Sequence, residues 1–552
     1  MSDYPQKRPL LARVAAIGAE VLVSVGTAGG FLAWSRTIEV DPLDRKGQVA
    51  GLAALQLRFA VLAALLVVAM VVAHRLLTHA HHGYAVRIGC AAVAGLGTGL
   101  VAGGIAVALN GTEMSLWAGG GDYGWILAWT ADLWSGREIS DHYPPVVFWL
   151  IGAWARMTDQ PHVLALQDLQ LAGTALFGPA AYLAWRLVLR PVWAVTIGML
   201  AMLPLIEPVK PYPQITLVML VPVLVAFLSA VRRADTMGLR RAALTGLFAG
   251  VGFGLLFLLY SGWYVWCAGG MLLAVLLLAP WRRGWRSVLV LGGTTVVAFV
   301  AVSWVHLRGL LAPTGGTSDN YFYFDTDTEP AYIAMWRNDR PADVGPVWPP
   351  VGELGGVGLF TLLLAAGLAL ALALGWRRSI VVAVGACAAS AWFMRMWLAS
   401  EQWQTQTVRL YPRTTAVVLY CLLILTGFGV LLAVRQWRRR SATAGTAGTA
   451  TAGTATASTA GTAGTATAGE PDAGRSTAPV GLLLVPLLFV LASAGSATVD
   501  RYMPDERSDH AGFFSWTAHT ENYPDGRCSR WGVAHGCVPA TEGTATEPPA
   551  TD

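Results

Sequence analysis

The stretch WAGGGDYGWILAWTADLWSGREISDHYPP, Trp117 to Pro145, sets Asp122, Asp132, Asp141 and His142 into a chain that is otherwise strongly apolar. Asp122 follows three consecutive glycines, whose backbone lets a substrate approach closely, and Asp132 comes ten residues later. A carboxylate of this kind can take the proton from an attacking hydroxyl; the plain alternative for Asp132, Asp141 and His142 is a solvated loop residue. Tyr143 follows His142 in the HYPP turn that closes the stretch. Cationic groups suited to an anion occur at Lys210 in IEPVKPYPQ, Arg395 in WFMRMW, and Arg409 and Arg413 in TVRLYPRT. An ionisable residue inside an apolar run is a functional candidate, although an arginine near the end of such a run also snorkels to water. Glu207 is a ready partner for Lys210. Further along, Asp325 and Asp327 in YFYFDTDTEPAYIAMW spell D-x-D, a pattern that holds a divalent metal on a diphosphate in cytosolic nucleotide-sugar enzymes. With Tyr321, Tyr323, Tyr332 and Trp336 beside them, they read here as a carbohydrate-binding lid, with an interfacial role for the aromatics as the competing account.

The elements that must position these groups are membrane helices. Hydrophobic residues make up 55% of the 552 positions and charged residues 13%, and apolar runs of about 20 residues recur, which predicts an all-α polytopic membrane protein. The formal charge of +5 is modest and spread over short loops, so it points to membrane orientation and not to nucleic acid. The pattern predicts about 13 transmembrane helices, near 14–34, 51–74, 88–109, 163–186, 192–206, 213–231, 242–260, 262–280, 287–306, 354–375, 379–398, 414–434 and 480–497. With Lys7, Arg8 and Arg13 inside, the alternate connections carry Arg75 and Arg87, Arg186 and Arg190, Arg232 to Arg241, Arg282 to Arg286, Arg377 and Arg378, and Arg435 to Arg440, as the positive-inside rule requires. The first span reads as a signal anchor that stays in place. Segments 125–135 and 146–157 are apolar but too short to span, which predicts helices lying along the outer interface.

Three regions follow: a core over 1–435 with outer loops 110–162 and 307–353, a linker over 436–478, and a last helix with a short outer tail over 479–552. The Ala, Gly and Thr repeats of 441–469 have no large apolar side chains to bury and predict a disordered cytoplasmic linker. Cys90, Cys267, Cys387 and Cys421 fall within spans and read as small packing residues. Cys528 and Cys537 share the outer tail, where two nearby cysteines on an oxidising face predict a disulfide.

Chemistry on the outer face has no nucleotide pool to draw on. A glycosyl transfer there needs a donor that has already crossed, such as a polyprenyl-phosphate sugar, and a site that combines a carboxylate, cations for the departing phosphate, and an apolar groove for the lipid tail. The sequence offers candidates for all three.

The pattern resembles a known family. Gly121-Asp122, Ala131-Asp132 and His142-Tyr143-Pro144-Pro145 in the first outer loop, the EPVKPY turn, and the YFYFDTDTEPAYIAMW loop followed by WPP are similar to the actinobacterial galactan arabinofuranosyltransferases of the AftA type. The likeness covers most of residues 1–435. It implies a GT-C-type glycosyltransferase fold with extracytoplasmic loops in the cell membrane, and transfer of arabinofuranose from decaprenyl-phosphate arabinose to the galactan of cell-wall arabinogalactan. The family's catalytic acid would map onto Asp122, with Asp132 orienting acceptor or base. The implied partners are the lipid donor, the galactan acceptor and the bilayer. No cofactor is implied, and the need for a divalent cation is left open. Two other readings stay open: a GT-C enzyme that uses polyprenyl-phosphate mannose, and a transporter of polyprenyl-linked glycan.

Overall fold

The computed structural model describes residues 10–77, 79–117, 122–137, 139, 143–312, 359–406, 411–450, 480–508, 511–523 and 525–538. These form helices α1 (Leu10–Ser35), α2 (Arg45–Leu76), α3 (His79–Ala108), α4 (Asp122–Trp134), α5 (Val146–Thr158), α6 (His162–Arg186), α7 (Pro191–Met202), α8 (Pro211–Val231) and α9 (Leu239–Leu259). They continue as α10 (Gly262–Leu278), α11 (Trp281–Leu311), α12 (Leu359–Gly375), α13 (Ser379–Ser400), α14 (Gln402–Thr405), α15 (Thr414–Ala450), α16 (Val480–Arg501) and α17 (Ala511–Thr520). Among the described residues there is no strand. Nine of the described helices are long and apolar enough to cross a membrane: α1, α2, α3, α8, α9, α11, α13, α15 and α16. Four shorter apolar helices accompany them, α5, α7 (extended by a 3-10 turn), α10 and α12, and α6 has spanning length but carries Gln167, Asp168 and Gln170 in its first turns. The chain is an all-α multi-pass membrane protein.

The apolar window of α3 is wholly buried, and its sequence, GCAAVAGLGTGLVAGGIAVA, explains why. In a membrane, helices are held by close packing, so small residues mark the contact faces. A side chain at Gly95 would collide with the Ser24 carbonyl of α1, and one at Gly178 of α6 with the Ala94 carbonyl of α3. Around this hub stand α1, α2, α6, α7 and α16, while α8, α10, α12, α13 and α15 pack beside it and α9 pairs with α11. Glu20 is buried in α1 and is answered by Arg87 of α3 at 2.6 Å and Arg186 of α6 at 3.3 Å. A buried carboxylate needs such partners to remain charged.

The basic connections gather at one end of the bundle. Arg232 donates to the Arg377 carbonyl at 2.8 Å, and Arg435 lies near Arg190 and Arg378. The opposite end, the loop end, carries the first long loop, the 203–210 connection, the α9–α10 and α13–α15 connections, and the tail after α16.

At the loop end α4 and α5, each 13 residues and therefore about 20 Å long, are too short for a hydrocarbon core of about 30 Å. They pack on each other and on α6. Several boundaries differ from expectation, among them the start of α3, at His79 rather than 88, and two that bear on the site and the linker. Asp122 is the first residue of α4, which starts earlier than the predicted 125. The last long core helix, α15, runs on through the arginine-rich 435–440 segment to Ala450, into the first of the repeats expected to be disordered, whose remainder lies outside the described residues.

Candidate functional site

Proline dictates the backbone at the centre of the loop end. In LPLIEPVKPYP, Leu203 to Pro213, Pro211 begins α8 at the first helical position, where its missing N–H costs nothing. Glu207 and Lys210 each precede a proline, which keeps both out of the helical region and in an extended turn. Gln170 of α6 anchors this turn and the first loop together: it donates to the Val209 carbonyl at 3.1 Å and accepts from the Leu116 N–H at 3.0 Å. Gln167, one turn earlier, donates to the carbonyls of Thr112 at 3.1 Å and Met114 at 2.9 Å.

Lys210 lies over the ring of Tyr123, 5.4 Å from its centroid, in the cation–π range. Tyr123 is the residue after Asp122 and is buried. Its ring stacks on Trp117 at 5.7 Å, and Trp117 stacks on Phe514 of α17 at 4.2 Å. Trp117 has a left-handed backbone with φ of 64°, uncommon for a bulky residue and held here by its amide bonding to the Phe514 carbonyl at 3.2 Å. On the far side, the hydroxyls of Tyr143 and Tyr212 share a hydrogen bond, the Tyr212 ring meets Tyr260 at 6.4 Å, and Arg413 donates to the Tyr260 hydroxyl at 3.0 Å.

Glu207 accepts from the Gln214 side-chain nitrogen at 3.3 Å. Burial pushes its carboxyl above the usual carboxylate range, against the opposing pull of that hydrogen bond and of Lys210 and Arg413. A carboxyl so perturbed within a cavity is a functional candidate.

Two spaces flank the 203–212 segment. One, of about 630 Å³, is mixed in character and carries Glu207, Gln214, Trp263, Arg413, Arg501 and Tyr502 in its wall beside apolar residues such as Leu205 and Leu419. The other, of about 390 Å³, is an apolar cleft among α1, α4, α5, α6, α8 and α9, whose head is formed by Tyr123, Val209, Pro211 and Tyr212. Its wall is almost entirely hydrocarbon, including Leu150, Leu169 and Ile215.

Of the sequence candidates, Lys210, Tyr143 and Arg413 meet here, and the backbone brings Asp122 beside them through Tyr123. Asp132 does not join them. Ten residues of α-helix put its Cα about 15 Å from that of Asp122, and its carboxylate pairs with Arg137 at 2.6 Å, so a direct hold on a base at Asp122 does not fit this geometry. Arg395 is also displaced from its expected task on a lipid phosphate. It is fully buried, donating to Thr415 Oγ1 at 2.8 Å and to the Tyr411 carbonyl at 3.3 Å, so it fixes the 3-10 turn Tyr411–Arg413 and thereby Arg413. Arg58, at the first loop's edge, donates to Thr37 at 3.0 Å. Arg409, His142, Asp325, Asp327 and Trp336 lie outside the described residues. Cys528 and Cys537 are joined in a disulfide. Among the described residues no three His, Cys, Asp or Glu side chains converge as metal ligands would.

Sequence reasoning passed over Glu207 as a site residue and missed Tyr260, Gln170 and Arg501. The two pre-proline charges in EPVKP were a usable signal for Glu207; nothing in the order of residues marks Tyr260 or Gln170. No protein-family model matches the chain, and comparison with curated proteins gives no match either.

Proposed function

We propose that the chain is an extracytoplasmic, polyprenyl-phosphate-dependent glycosyltransferase of the GT-C type, moving arabinofuranose from decaprenyl-phosphate arabinose to a galactan acceptor. The observation that carries this reading is the apolar cleft that ends at Tyr123, the residue after Asp122, with the Lys210 ammonium lying over the Tyr123 ring. A lipid tail fits a wall of hydrocarbon, the phosphate fits the ammonium at its head, and Asp122 begins the neighbouring helix. Further support comes from the motifs that resemble those of the arabinofuranosyltransferases and from the segregation of basic connections at the opposite end.

In this reading the Asp122 carboxylate takes the proton of an acceptor hydroxyl as its oxygen attacks the anomeric carbon. The bond from that carbon to the phosphate oxygen breaks, and polyprenyl phosphate leaves with the electron pair, its charge met by Lys210. One displacement inverts the anomeric centre.

Reconstituted protein tests this directly. Given decaprenyl-phosphate arabinose, decaprenyl-phosphate mannose and a galactofuranosyl oligosaccharide, it is expected to transfer arabinose. Transfer of mannose alone selects the mannosyltransferase, and movement of lipid-linked sugar across the bilayer with no transfer selects the transporter.

A further inference from the structure

The cleft and the cavity on either side of the 203–212 segment share no lining residue, and they differ in chemistry: the cleft is almost all hydrocarbon, whereas charged and polar groups make up about half of the cavity wall. A ligand with an alkyl chain and a phosphate must keep the two contiguous, and the ammonium at the head of the cleft is that of Lys210. That leaves the larger space for a different molecule. Its wall combines a carboxylate, two guanidinium groups, a carboxamide and a phenol with an apolar side that includes Leu205, Leu419 and the Trp263 indole, a mixture that matches the hydroxyls and the apolar ring face of a saccharide.

One detail points to a missing donor. Gln214 turns its amide nitrogen to Glu207, and its Oε1, buried in the same wall, has no hydrogen-bond partner among the described residues. A buried acceptor left in this state is costly, and flipping the amide would set an oxygen against Glu207 whenever that carboxylate is ionised. A ligand hydroxyl resolves both constraints.

We propose that this cavity is the acceptor-sugar site, in which Glu207 and Gln214 accept hydrogen bonds from the hydroxyls of the acceptor saccharide while Arg413 and Arg501 donate to them. The proposal rests on the glycosyltransferase reading and adds to it the place of the second substrate. Glu207 is here a binding residue. Lys210, Arg413, Arg501 and Tyr502 are the charged and titratable groups that face it, and its carboxyl, with proton affinity raised by burial, disfavours the folded state when ionised. Its contribution to stability is best below the ordinary value of 4.5 and is lost as pH rises through the raised value. A residue kept for binding has this signature; one kept for stability does not.

The test uses the full-length reconstituted protein with a galactofuranosyl oligosaccharide as probe, measured for direct binding and, where transfer occurs, for acceptor KM at saturating donor. Glu207→Gln and Gln214→Leu are each expected to raise the oligosaccharide Kd and acceptor KM about 10- to 100-fold, the worth of a hydrogen bond to a charged or buried group. Donor KM should be unchanged, and Glu207→Gln should melt higher than the natural protein at neutral pH. Unchanged acceptor KM in both variants overturns the site while leaving the enzyme reading intact. A rise in donor KM instead assigns the cavity to the phosphate headgroup and overturns the proposal equally. If the natural protein transfers no sugar yet binds the oligosaccharide through Glu207, the enzyme reading fails and the site stands; if it does neither, both fail.

Discussion

Asp122 and Asp132 look alike as letters, both small acids in an aromatic loop, and the helix separates their roles. Asp132 sits about 15 Å further along α4 with Arg137 as its partner, and surface pairs of this kind contribute at most about 1 kcal/mol. Asp122 begins the helix whose next residue faces Lys210. Asp122→Asn keeps the shape and removes the base, so it is expected to insert normally, bind donor, and lose about 10²- to 10⁴-fold in transfer, whereas Asp132→Asn costs much less. Near-natural transfer by purified Asp122→Asn would move the base elsewhere, with Glu207 the next carboxylate to examine. The type of these residues was legible in the sequence. Their partners were not, because Arg137, Tyr123 and Gln214 acquire meaning only once a helix or turn sets them at bonding distance.

Among elements, the tail after α16 does more than its length suggested. Its α17 stacks Phe514 on Trp117, the Tyr523 hydroxyl accepts from the Glu113 amide at 2.9 Å, Arg527 pairs with Glu113 at 3.0 Å, and the Arg530 amide bonds to the Gly111 carbonyl at 2.9 Å. Gly111 accepts this because its φ of 84° and the indole of Trp531 beside it leave no room for a side chain. The tail is thus a clamp on the loop that leads to Asp122. At its centre His519 is fully buried, bonded to the Ala108 carbonyl at 2.9 Å, and burial holds its imidazole down to about 4 from 6.5, against the opposing pull of that bond and of Asp41. The unfolded tail binds a proton at higher pH than the folded tail does, so clamping is intact above about pH 6.5 and weakens as pH falls toward about 4, by on the order of 3 kcal/mol in all. Hydrogen exchange of the α17 amides across this window should accelerate in the natural protein, and the acceleration should flatten in His519→Gln. Exchange that does not change with pH would remove His519 from the clamp's energetics. The sequence marked the disulfide of this tail through two cysteines in a short span; it gave no sign of the docking, since each contact joins residues some 400 positions apart.

For the whole molecule, the described basic connections gather at the end opposite the loop end, and the positive-inside rule predicts that this basic end faces the cytoplasm. The expectation is specific. A single cysteine placed at Asp525 in the tail should react with an impermeant thiol reagent on intact cells, and one at Thr236, between α8 and α9, only after the membrane is opened. The reverse pattern would put the cavity and cleft in the cytoplasm, where a nucleotide sugar is available, and would undo the case for a lipid donor.

The sequence by itself determined the class and the course of the chain. A run of about 20 apolar residues has one stable solution in a bilayer, a helix with its backbone satisfied internally, so the long helices and the two short helices α4 and α5 could be read from the apolar pattern. Charge asymmetry between alternate connections ordered their ends. What tertiary structure decided is which charges share a space. Glu207 and Arg413, which line one cavity, come from connections far apart in the chain, and Arg395, equally promising as a letter, is withdrawn into the packing between α13 and α15. Helix packing of this kind depends on where small residues such as Gly95 and Gly178 permit close approach, a pairwise property of surfaces that periodicity along one strand of sequence does not encode.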